Sequence, residues 1–325
     1  YDPAALPPVE TLADGRKAMR LRVLLWNVEG LPWPARSGRD AKLAQIADWI
    51  AKRRAAGDGP HILILHKAFT PAASRIAVAG GFASIVPGPA VGQERHDRIA
   101  TPPAGFGEAA RWSKGEKIGK WLDGGLYVAT DLPVNGAVSE AFGRDSCAGY
   151  DCLANKGAMV VFVELPGAPE RLLIFNTHRN SREPSGVSVA RAEASHVLQT
   201  RENDALLMAA AGHATIAAGD FNNYRAGDRI GAFAEDPGFR LVAKGSAFTP
   251  RAAPMSDAGA WKQADDLLGF GSTDRLFVEP LAVTALFDGK NGPRLSDHDA
   301  QYVVFRVSWR ADAPVPPVYL PRCAA

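Results

Sequence analysis

Leu172-Leu173-Ile174-Phe175-Asn176-Thr177-His178 passes from apolar to polar without a break. The apolar residues suit a buried strand. The three that follow leave an amide, a hydroxyl and an imidazole at its end, where a rigid sheet can aim side chains into a cleft. The same construction recurs along the chain. The apolar run Leu21 to Val28 carries Asn27 at its end, Ala214 to Ala218 leads into Gly219-Asp220-Phe221-Asn222, and Ser296-Asp297-His298 stands just ahead of Ala300 to Val307. Asp274, in Ser272-Thr273-Asp274-Arg275-Leu276-Phe277, precedes another short run, Arg275 to Val278. One histidine at a strand end is more often a hydrogen-bonded structural residue than a catalyst. Their repetition in this order is what points to one shared cleft.

The remaining pattern is short apolar strands separated by helices. His61 to Leu65 and Gly124 to Ala129 read as strands, and Met159 to Leu165 pairs with Leu172 to Asn176 through the Pro166-Gly167 turn. Asp40 to Ala51 has helical periodicity, with Leu43, Ile46, Trp49 and Ile50 along one face. Val189 to Ala211 is the longest helical stretch. Between Val86 and Trp121 the chain is rich in Gly, Pro, Arg and Lys and loses periodicity, which predicts a long irregular excursion of the kind that carries substrate contacts. A Pro-rich tail after Ser308 is expected to run extended. With neither repeat nor linker, one domain over residues 1–325 is expected, with its core at about 20–308. Strands spread over the whole length predict a sheet-on-sheet core with helices outside.

Composition narrows the function. Over 325 residues, 46% are apolar and 22% charged, as in soluble globular proteins. A net charge of +2 supplies no global pull towards nucleic acid or an anionic membrane. No apolar run approaches the roughly 20 residues of a membrane helix. Three cysteines are too few for a disulfide scaffold and lack zinc-ligand spacing. Cys147 and Cys152 either staple one loop or are two inert thiols; spacing does not choose between them.

Phosphodiester hydrolysis needs a base to activate water, donors for the phosphoryl oxygens, and an acid or cation for the leaving oxygen. Two histidines with Asp and Asn supply that set. The succession Asn27, Asn176-Thr177-His178, Gly219-Asp220-Phe221-Asn222, Asp274 and Ser296-Asp297-His298 resembles the endonuclease/exonuclease/phosphatase superfamily, over about residues 20–308. Within it the sequence is most similar to neutral sphingomyelinases, especially secreted bacterial ones. Asp123-Gly124-Gly125, Cys147-Ala148-Gly149-Tyr150-Asp151 leading into Asn155-Lys156-Gly157, and Arg191-Ala192-Glu193 resemble segments of that branch.

The resemblance implies an α/β (α+β) four-layer sandwich, two packed and mostly antiparallel β-sheets flanked by helices. It also implies roles. His298 is expected to be the general base, with Asp274 fixing its tautomer. Asp220 positions the water, Asn222 donates to a phosphoryl oxygen, and His178 stabilises phosphoryl charge or protonates the leaving oxygen. Asp151, Asn155 and Lys156 are expected on the substrate's phosphate side. Asn27 and Asp297 are expected at a Mg²⁺ site.

One position departs from the family. Where relatives carry the principal magnesium-binding glutamate, this chain has Leu65-His66-Lys67-Ala68-Phe69. Mg²⁺ usually has only one or two protein carboxylates, so exchanging one for a lysine is incompatible with an ordinary site. Three readings follow. The Lys67 ammonium stands in for the metal and neutralises phosphate directly; or the site binds without hydrolysis; or Lys67 points away and another carboxylate, Glu29, holds the metal. The leading expectation is phospholipase C-type hydrolysis of a phospholipid head group at a membrane surface, by a secreted or periplasmic monomer. A phosphate- or lipid-binding pseudoenzyme and a nuclease are the alternatives. For the nuclease, Arg36, Arg39, Lys52, Arg53 and Arg54 are more simply a solvated face. Trp33, Trp112 and Trp121 are possible membrane anchors, or ordinary packing.

Overall fold

Along the first long strand, β2 (Lys17–Gly30), burial alternates in destination rather than in degree. Val23 and Leu25 enter one apolar cluster while Leu24, Trp26 and Val28 enter another. A strand covered on both faces needs a layer on each side. The same division appears at β3 (Ile62–Ala68), where Ile62 and Ile64 go to the first cluster and Leu63 and Leu65 to the second. The computed structural model describes residues 6–95, 97, 99–223, 229, 240–241 and 265–312; from 313 onward the expected tail lies outside the described residues.

The other elements are β1 (Val9–Thr11), α1 (Arg39–Ala55), α2 (Pro71–Ala79), β4 (Ser84–Pro87), β5 (Tyr127–Thr130), β6 (Val134–Ala141), β7 (Gly157–Val163), β8 (Leu172–His178), α3 (Val189–Ala209), β9 (Ala214–Asp220), β10 (Arg240–Leu241), β11 (Asp266–Gly271), β12 (Phe277–Leu286) and β13 (Ala300–Trp309). One sheet has the order β12-β13-β2-β3-β5-β4, with β1 beside β2; the other runs β10-β11-β9-β8-β7-β6. Each contains one parallel pair, β2 with β3 and β8 with β9, and is otherwise antiparallel. The first cluster joins Val23, Leu25 and Ile64 to Met159, Val161, Ile174 and Ile216 and fills the space between the sheets. α1 and α2 cover the outer face of the first sheet through Leu43, Ile46, Ile50 and Ile76. α3 covers the second through Leu206, against Phe175 and Leu173. Helices, sheet, sheet and helix are the four layers expected from the sequence.

Several local rules fix the helices. Pro71 opens α2 just after Thr70, whose hydroxyl accepts from the Ala73 amide at 3.3 Å, an ordinary N-cap. α3 is not amphipathic in the usual way because its inward face is partly polar. Gln199 accepts from the Asn180 amide (2.6 Å) and Glu202 from that of Gly143 (2.9 Å), so this face grips loops as well as the sheet. Gly30 is required where β2 meets α2. A Cβ there would lie 2.5 Å from the Ala73 Cβ and 2.7 Å from the Lys67 carbonyl oxygen.

Past the end of β4, the described residues of the expected excursion from Val86 to Trp121 hold almost no regular structure beyond a 3₁₀ turn at Trp112–Lys114. Cys147 and Cys152 form a disulfide, with Cα atoms 5.3 Å apart, closing a loop on Asp151. No helix among the described residues is long and apolar enough to cross a membrane.

Candidate active site

The parallel pairs set the site. β2 and β3 end together at Asn27 and His66, and β8 and β9 end together at His178 and Asp220. These ends meet across the gap between the sheets, where the apolar filling gives way to polar groups. The Asn27 amide donates to Asp220 Oδ2 at 2.7 Å, and His66 Nε2 lies 2.6 Å from Asn176 Oδ1. Asp220 Oδ1 accepts from the Asn222 amide nitrogen at 3.1 Å. Backbone strain gathers here as well: Glu29 and Lys67 at φ 50° and Asn222 at φ 52° all occupy the left-handed region at strand ends.

His298 lies beside this cluster, just before β13, with its carbonyl held by Trp26 Nε1 (3.1 Å) and its amide donating to the Ser296 hydroxyl (3.3 Å). The carboxylate on its Nδ1 is Asp266, in a very short contact; it is not Asp274. β11 runs antiparallel to β9 with Asp266 opposite Asp220, so the first residue of β11 faces the site. Asp274 follows the last residue of that strand and sits in an exposed turn at the other end of the sheet. The tautomer-fixing role expected of Asp274 therefore falls to Asp266. The sequence did hold a signal. Asp265-Asp266 directly precedes the apolar Leu267-Leu268-Gly269-Phe270, the same arrangement that drew attention to Asp274.

Burial and the nearby Lys67 both disfavour a charge on His298, but Asp266 outweighs them and pushes its pKa up to about 9. Burial disfavours the charge on Asp266 too, and His298 and His66 together hold it well below the usual carboxylate range.

Lys67 does not point away. Its Nζ lies 3.4 Å from His298 Nε2. Burial opposes its charge, yet Asp220, Asp297, Asp266 and Asp151 overcome that, and its pKa is raised above the ordinary lysine value. Glu29 is not a free ligand, contrary to the third reading: Arg36 at 2.6 Å and Arg39 at 3.2 Å hold its carboxylate. Asp297 stands at the rim, 41% exposed and 3.8 Å from His298 Nε2.

Behind His178 lies a second cation. Lys156 donates to Asp151, to the Arg179 carbonyl (2.9 Å) and to His178 Nε2 (2.9 Å). Burial, then Lys156, Lys67, His66 and His298, push the His178 pKa well below 6.5. A neutral ring whose Nε2 lone pair is already engaged does not protonate a leaving group, so of the two roles expected of His178 only charge stabilisation keeps geometric support. Asn222 spends one amide hydrogen on the Arg179 carbonyl at 2.8 Å. Asn155 has its amide committed to the backbone. Its amide donates to the carbonyls of Ala90 (2.6 Å) and Gln93 (2.8 Å), fastening the start of the irregular excursion. Arg191 and Glu193 are likewise structural, paired with Glu116 and with Arg182 and Arg229.

Asp220, Asp266 and His298 bring ligand atoms within 4.8 Å of one another, a grouping that can in principle hold a metal ion. An ordinary magnesium site needs free oxygen ligands in octahedral order. Here each Asp220 oxygen already accepts a hydrogen bond, from Asn27 and from Asn222, one Asp266 oxygen is held by His298, and above all the Lys67 ammonium already supplies a fixed positive charge in the same space. The residues present do not fit Mg²⁺.

No family model and no curated protein matches the sequence. Solved structures do match its fold. Sphingomyelinase C from Streptomyces griseocarneus is similar over 88% of this chain and 99% of its own, at 21% identity and a TM-score of 0.55. A beta toxin double mutant from Staphylococcus aureus, solved with bound magnesium ions, covers 90% of this chain and 100% of its own at 13% identity, TM-score 0.55. An endonuclease/exonuclease/phosphatase from Beutenbergia cavernae covers 91% and 73% respectively at 17% identity, TM-score 0.53. The fold is of the endonuclease/exonuclease/phosphatase type, with similarity to bacterial sphingomyelinases.

Proposed function

We propose that this protein is a phosphodiesterase that hydrolyses a phospholipid head group, with the Lys67 ammonium doing the electrostatic work that a metal ion does elsewhere. The observation that carries this reading is the position of Lys67, 3.4 Å from the Nε2 of a histidine whose other nitrogen is held by Asp266. A base oriented by a carboxylate and facing a fixed cation is a hydrolytic arrangement. In the reaction the neutral form of His298, which gains as pH rises towards about 9, takes a proton from water at Nε2 as the water oxygen attacks phosphorus; the bond to the leaving oxygen breaks and that oxygen takes its proton from solvent. Lys67 neutralises the phosphoryl charge, as a point-charge ammonium does in other phosphate sites. Neutral His178 and Asn222 flank the same space, and Asp220 positions the water.

A lipid substrate is favoured by the similarity to sphingomyelinases and by three exposed tryptophans, Trp33 (81%), Trp112 (75%) and Trp121 (65%). Ring systems that amphipathic suit a membrane interface. The Cys147–Cys152 disulfide favours an oxidising compartment, consistent with a secreted or periplasmic protein.

The test is hydrolysis of sphingomyelin, phosphatidylcholine, short DNA and a chromogenic phosphodiester, with and without excess chelator. Turnover of a choline phospholipid that survives chelator and disappears in Lys67→Ala is expected. Chelator-sensitive turnover would remove Lys67 from the metal's place. An inactive protein that gains magnesium-dependent turnover as Lys67→Glu would be the binding-only alternative.

A further inference from the structure

Exposed apolar side chains are not spread evenly over the surface. Val91, Ile99, Trp112, Ile118 and Trp121 all fall in the irregular excursion, and Tyr150 stands on the disulfide loop beside it. Scattered singly such residues mean little; gathered on one segment they mark a contact surface. The densest part is Arg111-Trp112-Ser113-Lys114-Gly115-Glu116-Lys117-Ile118-Gly119-Lys120-Trp121, with four basic residues and one acidic. The acid is withdrawn from the surface. Glu116 is buried and accepts from the amides of Arg111 and Gly149 (2.8 Å for the latter) and from Arg191 Nε (2.7 Å), which pins the loop to α3. Lys120 also turns inward, donating to the Ala154 carbonyl at 3.3 Å. The face left outside is Trp112, Ile118 and Trp121 set among Arg111, Lys114 and Lys117. Lys114 has a neutral partner, the Tyr150 hydroxyl at 3.3 Å, and among the described residues none of these three cations shares an ion pair. In the depression beside Lys117, Arg144 offsets Asp145, and exposed Glu108 offsets one cation, so the sign stays positive.

The patch flanks the site. The Trp121 amide donates to the Leu153 carbonyl (2.7 Å) and the Asn155 amide to the Leu122 carbonyl (2.8 Å). The end of the loop is thereby laced to the segment that leads into Lys156, the residue behind His178.

We propose that this patch docks the protein on a bilayer carrying anionic phospholipid, a lipid separate from the substrate, and so brings the site to the membrane surface. This deepens the lipid reading given above and rests on it. Opposite charge draws the loop to the surface, and the tryptophans with Ile118 enter the boundary between head groups and acyl chains. The lysine and arginine stems lie along the same apolar region with their charges at the phosphates. A nucleic-acid backbone would meet the cations equally well, but aliphatic Ile118 would gain nothing there. With a net charge of only +2 the attraction is local, so it depends on a few side chains rather than on the whole molecule.

Sedimentation with phosphatidylcholine–sphingomyelin vesicles, with and without added phosphatidylglycerol, tests this without turnover. The parent protein is expected to bind the anionic vesicles about tenfold or more tightly at low salt and to lose that advantage at high salt. Arg111→Gln with Lys114→Gln and Lys117→Gln should weaken anionic binding by on the order of a hundredfold and leave neutral-vesicle binding unchanged. Lys42→Gln with Lys52→Gln and Arg75→Gln removes the same charge from exposed positions on α1 and α2, and should change binding by about twofold at most. Circular dichroism checks that both variants fold, and the salt dependence of the parent needs no variant. Equal binding, or none, to neutral and anionic vesicles overturns the proposal, as does equal loss in the two triple variants. Binding of a short DNA duplex through the patch without binding to vesicles also overturns it and makes nucleic acid the partner. Anionic-vesicle binding through the patch with no hydrolysis of any phosphodiester counts against the proposed function alone. Hydrolysis of a choline phospholipid with no preference for anionic vesicles counts against the docking surface alone.

Discussion

Replacing Asp266 by Asn should separate the site's electrostatics from its shape, because the side chain keeps its size and loses its charge. Asp266 pushes His298 up to about 9 from an ordinary 6.5. At about 1.4 kcal/mol per pH unit this gap corresponds to about 3 kcal/mol. The sign follows from which state binds the proton more tightly. The folded pKa of His298 lies above the unfolded one, so its contribution is complete below about pH 6.5 and is lost as pH rises through about 9. The folded pKa of Asp266 is depressed from 3.8, so its contribution is present above that value and lost in acid. The pairing therefore stabilises most between roughly pH 4 and 6.5. Urea denaturation over pH 5–10 should show Asp266→Asn less stable than the parent by about 3 kcal/mol near pH 5.5, with the gap closing towards pH 10. Asp274→Asn, in an exposed turn, should stay within about 0.5 kcal/mol throughout. Where hydrolysis is measurable, Asp266→Asn should reduce it by about a hundredfold or more and Asp274→Asn should not. A stability gap that does not change with pH, or an Asp274→Asn variant that behaves like Asp266→Asn, would refute the pairing.

Other consequences are simpler to state. Asn155→Ala should cost about 1–3 kcal/mol by freeing the carbonyls of Ala90 and Gln93, with turnover per folded molecule retained; a KM effect without a stability effect would return Asn155 to the substrate. Reducing the Cys147–Cys152 bond, or Cys147→Ser, should lower stability by about 2 kcal/mol for so short a loop, measured in urea with and without a dithiol. Trp33→Ala with Trp112→Ala and Trp121→Ala should weaken sedimentation with phosphatidylcholine–sphingomyelin vesicles while leaving a soluble chromogenic substrate unaffected. Equal loss on both would place the tryptophans in packing instead.

What the sequence made legible was set by burial. Strands covered on both faces, such as Leu21 to Val28 and Leu172 to Asn176, cannot be mistaken, because few other arrangements use an unbroken apolar run of that length. The polar groups at their ends, Asn27, His178 and Asp220, were legible for the same reason. Elements with weaker patterns were not. β6 includes Gly136 and is exposed from Gly136 to Val138, while α2 is only 9 residues long with alanine at 72, 73, 77 and 79. β12 continues to Leu286 through an irregularity at Pro280, whereas the sequence suggested a stop near Val278. Asp266 and Asp274 show the sharpest limit. Both are aspartates ahead of apolar residues, and only antiparallel pairing with β9 says which end of the strand faces the catalytic histidine.

Three polar contacts at the centre of the site are ties between the sheets. Asn27 reaches Asp220, His66 reaches Asn176, and His298 reaches Asp266, each from the first sheet or its edge to the second. The site is thus a vernier for the alignment of the two sheets. A displacement of one sheet over the other by a single ångström would cost the apolar filling little, since dispersion contacts re-form, but it would open every one of these ties at once. Substitutions deep between the sheets, at Leu25, Ile64, Ile174 or Ile216, act on the same alignment from a distance, with no contact to any catalytic group required.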